Sequence, residues 1–240
     1  MFAPGGPTFL ELLHQALVST ERGYDLIAPK FDRTPFRTPD ALLEAMARNV
    51  GPAASIDAAL DVCCGTGAAA AWLRALCRER VVGLDFSQGM LDEARRRLAF
   101  APGIARIDLV RGDALAMPFD AEFDLITCTG AFGHILEKDE PRFVRGIHRA
   151  LRPGGRFVFP TSELPAKTSR TVWMLRGFNA AMRVRNALLR PPFIMYYLTF
   201  LWPGVGELLK REGFDVRVSR DVFPAPYQHG LLVTATRARR

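Results

Sequence analysis

Residues 60–67 read Leu-Asp-Val-Cys-Cys-Gly-Thr-Gly. An apolar run that ends in two glycines one residue apart predicts a buried strand turning sharply into a helix, Ala68–Cys77. Glycine lets backbone approach a ligand that a Cβ would hold off. The unpaired N–H groups of the following helix aim at the same spot. This is the chemistry of a nucleotide-cofactor turn, with Cys63, Gly65, Thr66 and Gly67 as its expected contacts.

Which nucleotide depends on the acids. Gly65-x-Gly67-x-x-Ala70 also satisfies a dinucleotide fingerprint. Asp61, on the strand before the glycines, would repel a pyrophosphate but suits an ammonium group. S-adenosylmethionine carries an α-amino group and a sulfonium, and no phosphate. Asp85, about 20 residues on, ends the second strand where a carboxylate takes both ribose hydroxyls. Asp113 ends the third, beside the Ala114 N–H, where it can accept from an adenine amino group. Each acid alone could simply cap a helix. Three at successive strand ends make a coherent site.

Those residues need a scaffold, and the pattern supplies one. A helical stripe runs through Phe9, Leu10, Leu12, Leu13, Ala16 and Leu17, followed by a polar stretch, Ser19–Thr38, carrying Tyr24-Asp25. A helix over Pro39–Asn49 stops before Gly51-Pro52. Strand Ala58–Cys63, helix Ala68–Cys77, strand Arg80–Asp85 and helix Ser87–Leu98 then alternate, with Ser87 a suitable N-cap. Strands Ile104–Arg111, Phe123–Thr129 and Arg156–Phe159 follow, with helix Glu140–Leu151 and the turn Pro153-Gly154-Gly155. The segment 161–203 is helical in pattern and apolar, ending in the run 193–202. Helix Val205–Arg211 and strands Phe214–Ser219 and Gly230–Thr236 close the chain, the two strands as an antiparallel pair at the sheet edge. Alternation at this spacing predicts an α/β, Rossmann-like three-layer sandwich with a mostly parallel sheet and a helical cap. The expected organisation is one domain over 1–240: an N-terminal helical cap (1–52), a cofactor core (53–160), an apolar helical lid (161–204) and a closing helix and strand pair (205–240).

In order and spacing, five pieces make the chain resemble the class I S-adenosylmethionine-dependent methyltransferases, in the small-molecule branch with the ubiquinone and menaquinone biosynthesis enzymes. They are the run 60–67; Val82-Gly83-Leu84-Asp85-Phe86-Ser87 with Met90-Leu91; Gly112-Asp113-Ala114 with Met117-Pro118-Phe119; Phe123-Asp124-Leu125-Ile126; and Leu151-Arg152-Pro153-Gly154-Gly155-Arg156-Phe157. The resemblance implies a seven-stranded sheet with one antiparallel strand. It also implies cofactor contacts from Asp61 and Gly65 to the methionine part, from Asp85 to the ribose, and from Phe86, Asp113 and Ala114 around the adenine. Met90, Gly112 and Thr129 complete the expected cofactor shell. Cys64 departs from the glycine or alanine more usual there.

Methyl transfer is an in-line displacement at a carbon the sulfonium has already activated, so alignment matters most and no metal is needed. A base is required only if the acceptor must lose a proton. His134, in Thr129-Gly130-Ala131-Phe132-Gly133-His134-Ile135 past the fourth strand, is the candidate base or acceptor-orienting group. Tyr24 is the second candidate, because related enzymes carry a similar Tyr-Asp pair closing over the cofactor. Phe132, Trp173, Phe178 and Tyr197 are the expected acceptor contacts. An apolar, aromatic lid predicts a hydrophobic or aromatic small-molecule acceptor. With Arg183, Arg185 and Arg190 preceding it, the run 193–202 could instead touch anionic lipid as a peripheral membrane contact.

Composition trims the alternatives. The net charge is +7, almost all of it scattered arginine, with local runs at Arg95–Arg97 and in an expected frayed tail, Arg237–Arg240. That argues against a nucleic-acid partner, as does the lack of an Asn/Asp-Pro-Pro-Tyr/Phe signature after the fourth strand. No Tyr-x-x-x-Lys pair supports a nicotinamide-dependent oxidoreductase, the first alternative; a non-catalytic S-adenosylmethionine-binding protein is the second. The start, Met1–Thr8, has no signal-peptide pattern. Cys63, Cys64, Cys77 and Cys128 read as buried thiols in a cytoplasmic protein without metal-ligand spacing. Nothing in the sequence sets an oligomeric state.

Overall fold

The computed structural model describes residues 4–239; Met1 to Ala3, at the head of the N-terminal stretch, and Arg240, at the end of the basic tail, lie outside the described residues. In chain order the helices are α1 (Phe9–Leu17), α2 (Thr20–Ile27), α3 (Asp40–Val50), α4 (Ala68–Leu76), α5 (Gln88–Leu98), α6 (Glu140–Ala150), α7 (Arg170–Leu188) and α8 (Gly204–Arg211). The strands are β1 (Ile56–Val62), β2 (Cys77–Asp85), β3 (Arg106–Arg111), β4 (Phe123–Cys128), β5 (Leu151–Ser162), β6 (Phe214–Ser219) and β7 (Gly230–Arg237). They form one seven-stranded sheet in the order β3-β2-β1-β4-β5-β7-β6. Strands β1 to β5 pair in parallel, and β7 runs antiparallel between β5 and β6. The order reverses between β1 and β4, which opens a crevice at the carboxyl ends of those strands.

Alternation along each strand builds two cores. Leu60, Val62, Leu84 and Ile126 face α6 and α8, where Phe143, Ile147 and Leu209 complete one layer. Ala59, Val81, Leu125 and Val158 face α3, α4 and α5, against Met46, Leu73 and Ala94. Asp61 falls on this second face, two residues from Ala59, and so points beneath α4. Ser87 caps α5 by accepting from the Met90 N–H at 3.1 Å.

Four features differ from the sequence reading. The stretch 19–38 is α2 plus a 3₁₀ segment, Ala28–Arg33. Its polar surface hides a few apolar positions, Ile27 and Ala28, that dock it on Met90. The apolar run 193–202 is irregular rather than helical, with Leu198 and Phe200 at positive φ. Strand β5 runs on through Pro153-Gly154-Gly155, the expected turn. Arg237 is not frayed: it ends β7, and its Nη1 donates to the carbonyls of His148 at 3.0 Å and Leu151 at 2.5 Å.

Candidate active site

The turn after β1 is pinned by a carboxylate from the next strand. Asp85 ends β2, and its Oδ2 accepts the Gly65 N–H at 2.8 Å while Oδ1 accepts the Ser87 N–H at 2.9 Å. Burial pushes the carboxyl up to about 6, against the pull of those N–H groups. Gly65 has φ +52°, and nothing lies within 4 Å of where a Cβ would stand, so its face is open. Gly67, also left-handed, begins α4 under Leu98 and Ala94, which a Cβ would strike.

A cavity opens over this turn. Its wall includes Cys63, Gly65, Thr66, Asp85, Phe86, Met90 and Thr129, seven of the expected cofactor contacts, together with Tyr24 and His134. Cys63 is therefore half-buried rather than buried. The other expected contacts lie off the wall. Asp61 is buried below the turn; the Ala70 N–H draws its carboxyl downward, neither oxygen completes a hydrogen bond, and burial raises it to about 8. Gly112 is half-buried beside Leu84. Asp113 is exposed and caps the 3₁₀ turn Ala114–Ala116 through the Leu115 N–H at 2.8 Å.

Tyr24 and His134 meet directly, although 110 residues separate them. Tyr24 Oη lies 2.6 Å from His134 Nε2, and His134 Nδ1 lies 2.5 Å from the Ile194 carbonyl. A carbonyl only accepts, so Nδ1 carries the proton and Nε2 receives the Tyr24 hydroxyl. Burial pushes the imidazole down, toward its neutral form, and pushes the Tyr24 hydroxyl up. The pair is thus an uncharged relay at ordinary pH.

The carbonyl that fixes this tautomer belongs to the irregular run 193–202, which acts as a strap. Tyr196 N–H donates to Gly133 O at 2.7 Å, and the Thr199 hydroxyl to Phe132 O at 3.0 Å. Phe200 stacks on Phe132 at 4.3 Å. Two asparagines on the buried side of α7, two turns apart, hold the strap. Asn179 pairs with both backbone groups of Tyr197, at 2.7 and 2.8 Å. Asn186 does the same with Phe193, at 3.0 and 2.9 Å. Each side-chain amide stands in for the strand partner an irregular backbone lacks.

Beyond the pair lies a wider cavity of about 670 Å³. Phe132 and Tyr197 line it, with Leu175 from α7 and Tyr24 and His134 at its junction with the first. Trp173 and Phe178 do not line it: Trp173 faces outward, and Phe178 packs on Tyr197 from outside at 5.1 Å. The sequence reading also missed Asp32 and Arg37. Asp32 accepts from the Thr66 hydroxyl at 2.6 Å and pairs with Arg97, tying the N-terminal segment to the glycine turn. Arg37 lines both cavities and pairs with Asp40. Only the adjacency of charge in Asp32-x-x-x-x-Arg37 hinted at them.

Among the described residues no cluster of three metal-ligating side chains occurs, and no helix is long and apolar enough to cross a membrane.

A mostly parallel sheet with one antiparallel strand, a glycine turn after β1 and an acid ending β2 define the class I methyltransferase architecture. A family profile described as a methyltransferase domain matches residues 59–155. A demethylmenaquinone methyltransferase of Symbiobacterium thermophilum is 40% identical over 183 residues, 72% of this chain and 64% of that protein. One from Lactiplantibacillus plantarum is 38% identical over 121 residues, 48% of this chain and 49% of that protein. The chain thus spans about half to two thirds of the length of these curated relatives. Among solved structures, a DhpI–SAH complex superposes with a TM-score of 0.65 at 20% identity, over 97% of this chain and all of that one. Residues 59–155 thus match a methyltransferase domain, on a fold shared with S-adenosylhomocysteine-bound methyltransferases, and the chain is similar to the demethylmenaquinone methyltransferases.

Proposed function

We propose that the protein transfers a methyl group from S-adenosylmethionine to an aromatic, hydrophobic small molecule of quinone or phenol type. The observation that carries this reading is the junction: the Asp85–Gly65 turn and the aromatic cavity meet at the Tyr24–His134 pair. The residues fit the cofactor. The open face of Gly65 admits a ligand against the backbone, and Asp85 keeps lone pairs free for two ribose hydroxyls. Phe86 and Met90 offer an apolar wall for a base. Asp113 and Ala114 at the rim are assigned to the adenine edge, and Asp61 to the ammonium of the methionine part, a positive charge that would draw off the proton that burial holds on the carboxyl.

When bound, the cofactor supplies a methyl carbon activated by its sulfonium. The chain's own residues do the rest. The second cavity holds the acceptor ring between Phe132 and Tyr197. A hydroxyl on that ring gives its proton to Tyr24 Oη as Tyr24 gives its own to His134 Nε2. The Ile194 carbonyl then faces the Nδ1–H of the imidazolium, which favours the charged form. The relatives' names point to a quinone ring as the acceptor, and the size of the second cavity accommodates one.

Thermal unfolding with S-adenosylhomocysteine, NADH and NADPH, each added alone, tests the cofactor. A ligand at ~100 times its dissociation constant adds about 2.7 kcal/mol, or several degrees. The expected result is a shift with the homocysteine compound only. A shift with a nicotinamide alone would overturn the assignment. Turnover of a demethylated quinol then separates an enzyme from a protein that merely binds the cofactor.

A further inference from the structure

Helix α7 is built inside out. Its buried side carries Asn179 and Asn186, while Trp173, Met174, Gly177, Ala180, Val184 and Leu188 recur three and four residues apart along the opposite, exposed side. Trp173 is 62%, Met174 66% and Leu188 77% exposed. Helix α1 repeats the inversion: Gln15 is buried, and Phe9 and Leu10 are 77% and 73% exposed. Arg185 joins the two helices, donating to Ala16 O at 2.8 Å and Val18 O at 3.1 Å at the end of α1. Two outward apolar faces therefore lie on adjacent helices. Isolated exposed leucines need no explanation, but a stripe at helical spacing on two joined elements does.

The charges around it say what covers it. From 164 to 206 the sequence has six cations, Lys167 and five arginines of which Arg185 is committed to the α1 carbonyls, and no acid, while the one acid of α1, Glu11, is paired with Lys30. Arg176 lies over the Trp173 ring at 5.3 Å, and Arg190 follows the helix. A second copy of this chain would bring the same positive belt against itself. An acidic phospholipid surface complements both features, taking the apolar stripe into its acyl boundary and the arginines at its headgroups.

We infer that the α1–α7 face docks on an anionic lipid bilayer. The run 193–202, read from the sequence as a cap with lipid contact as its alternative, is the internal strap, with Phe193 and Phe200 buried. Helix α7 also walls the larger cavity through Leu175. Docking would set that cavity beside the acyl layer, where a lipophilic acceptor is dissolved. This last step rests on the function proposed above; the docking itself does not.

Flotation of the full chain with vesicles tests it, using phosphatidylcholine alone and an equal mixture with phosphatidylglycerol. Binding is expected only to the mixture, weakening as salt rises, with a blue shift in tryptophan emission as Trp173 leaves water. Trp173→Glu combined with Leu188→Glu should abolish flotation without lowering the melting temperature, since both side chains are exposed. Arg176→Gln and Arg190→Gln should each weaken it about fivefold. Absence of flotation at low salt, or equal flotation of the glutamate variant, would overturn the inference. So would a concentration-dependent dimer that the same glutamates dissolve. The S-adenosylhomocysteine melting shift, read without vesicles, reports separately on the methyltransferase reading.

Discussion

The two walls of the site are held by opposite means. On the sheet side, the turn 63–67 is fixed by its own backbone, with Asp85 spending both oxygens on N–H groups of neighbouring loops. On the lid side, the strap has little regular structure and hangs from side chains, chiefly Asn179 and Asn186. The first wall needs particular residues at fixed spacing. The second needs only that each backbone group find some partner, which many sequences could supply. The cofactor wall should therefore fail at single positions, and the lid wall should loosen by degrees.

The largest effect should come where the walls meet. His134→Ala removes the acceptor of the Tyr24 proton, and kcat should fall about 10²- to 10⁴-fold. S-adenosylhomocysteine affinity, measured by titration calorimetry, should stay within a few-fold. Equal loss of both would make His134 a structural part of the cofactor wall. Tyr24→Phe should lose less, because one water can then stand in for the hydroxyl between the acceptor and Nε2.

On the sheet side, Asp85→Asn keeps the shape but can no longer accept at both oxygens. Hydrogen bonds to charged groups contribute about 1.5–3 kcal/mol each, so cofactor affinity should fall on the order of a hundredfold. The same carboxyl sets a pH dependence. Its value near 6 means that the ionised form, which accepts the ribose hydroxyls, is lost as pH falls below about 6. Affinity should drop about tenfold per unit there and stay flat above pH 7. A flat profile down to pH 5 would remove Asp85 from the ribose contact.

On the lid side, Asn186→Leu leaves the Phe193 N–H and carbonyl unpaired. The expected cost is about 1–3 kcal/mol of stability, read from urea unfolding. Turnover should fall through a looser His134, with cofactor affinity unchanged. If cofactor binding fell with stability, the two walls would be one unit.

This contrast also explains what was legible beforehand. The strands and helices from 56 to 150 follow from period and glycine spacing, both local properties. Of the seven expected contacts on the cavity wall, Cys63, Gly65, Thr66 and Asp85 follow from the turn and the strand end, and Phe86, Met90 and Thr129 came with the family resemblance. The strap was unreadable because Phe193, Tyr196 and Phe200 recur at helical spacing. Its irregular path is set by Asn179, Asn186 and Gly133, partners that lie outside the run itself. The stripe in α1 reads as core by periodicity, yet it faces outward, since periodicity gives a face and not its direction. The Tyr24–His134 bond spans 110 residues, so only the fold could join two residues the sequence proposed separately.

The last effect is one of stability alone and belongs to Asp61, which lies below the cofactor wall without being on it. In the folded protein its carboxyl is raised to about 8, against an ordinary 3.8, because burial disfavours the charge. Between those values the native state keeps a proton that the unfolded chain has released. Stability must then fall as pH rises across that window, by up to about 1.4 kcal/mol per unit, and level off above it. Asp61→Asn fills the same space without a titrating group, so its unfolding free energy should lack this slope. Urea unfolding of both proteins at pH 5 and pH 8 should show the wild type losing more. Parallel losses would mean that the Asp61 carboxylate is already paired when ionised. The sheet-side wall would then extend beneath the turn, with Asp61 counted among its fixed contacts beside Asp85.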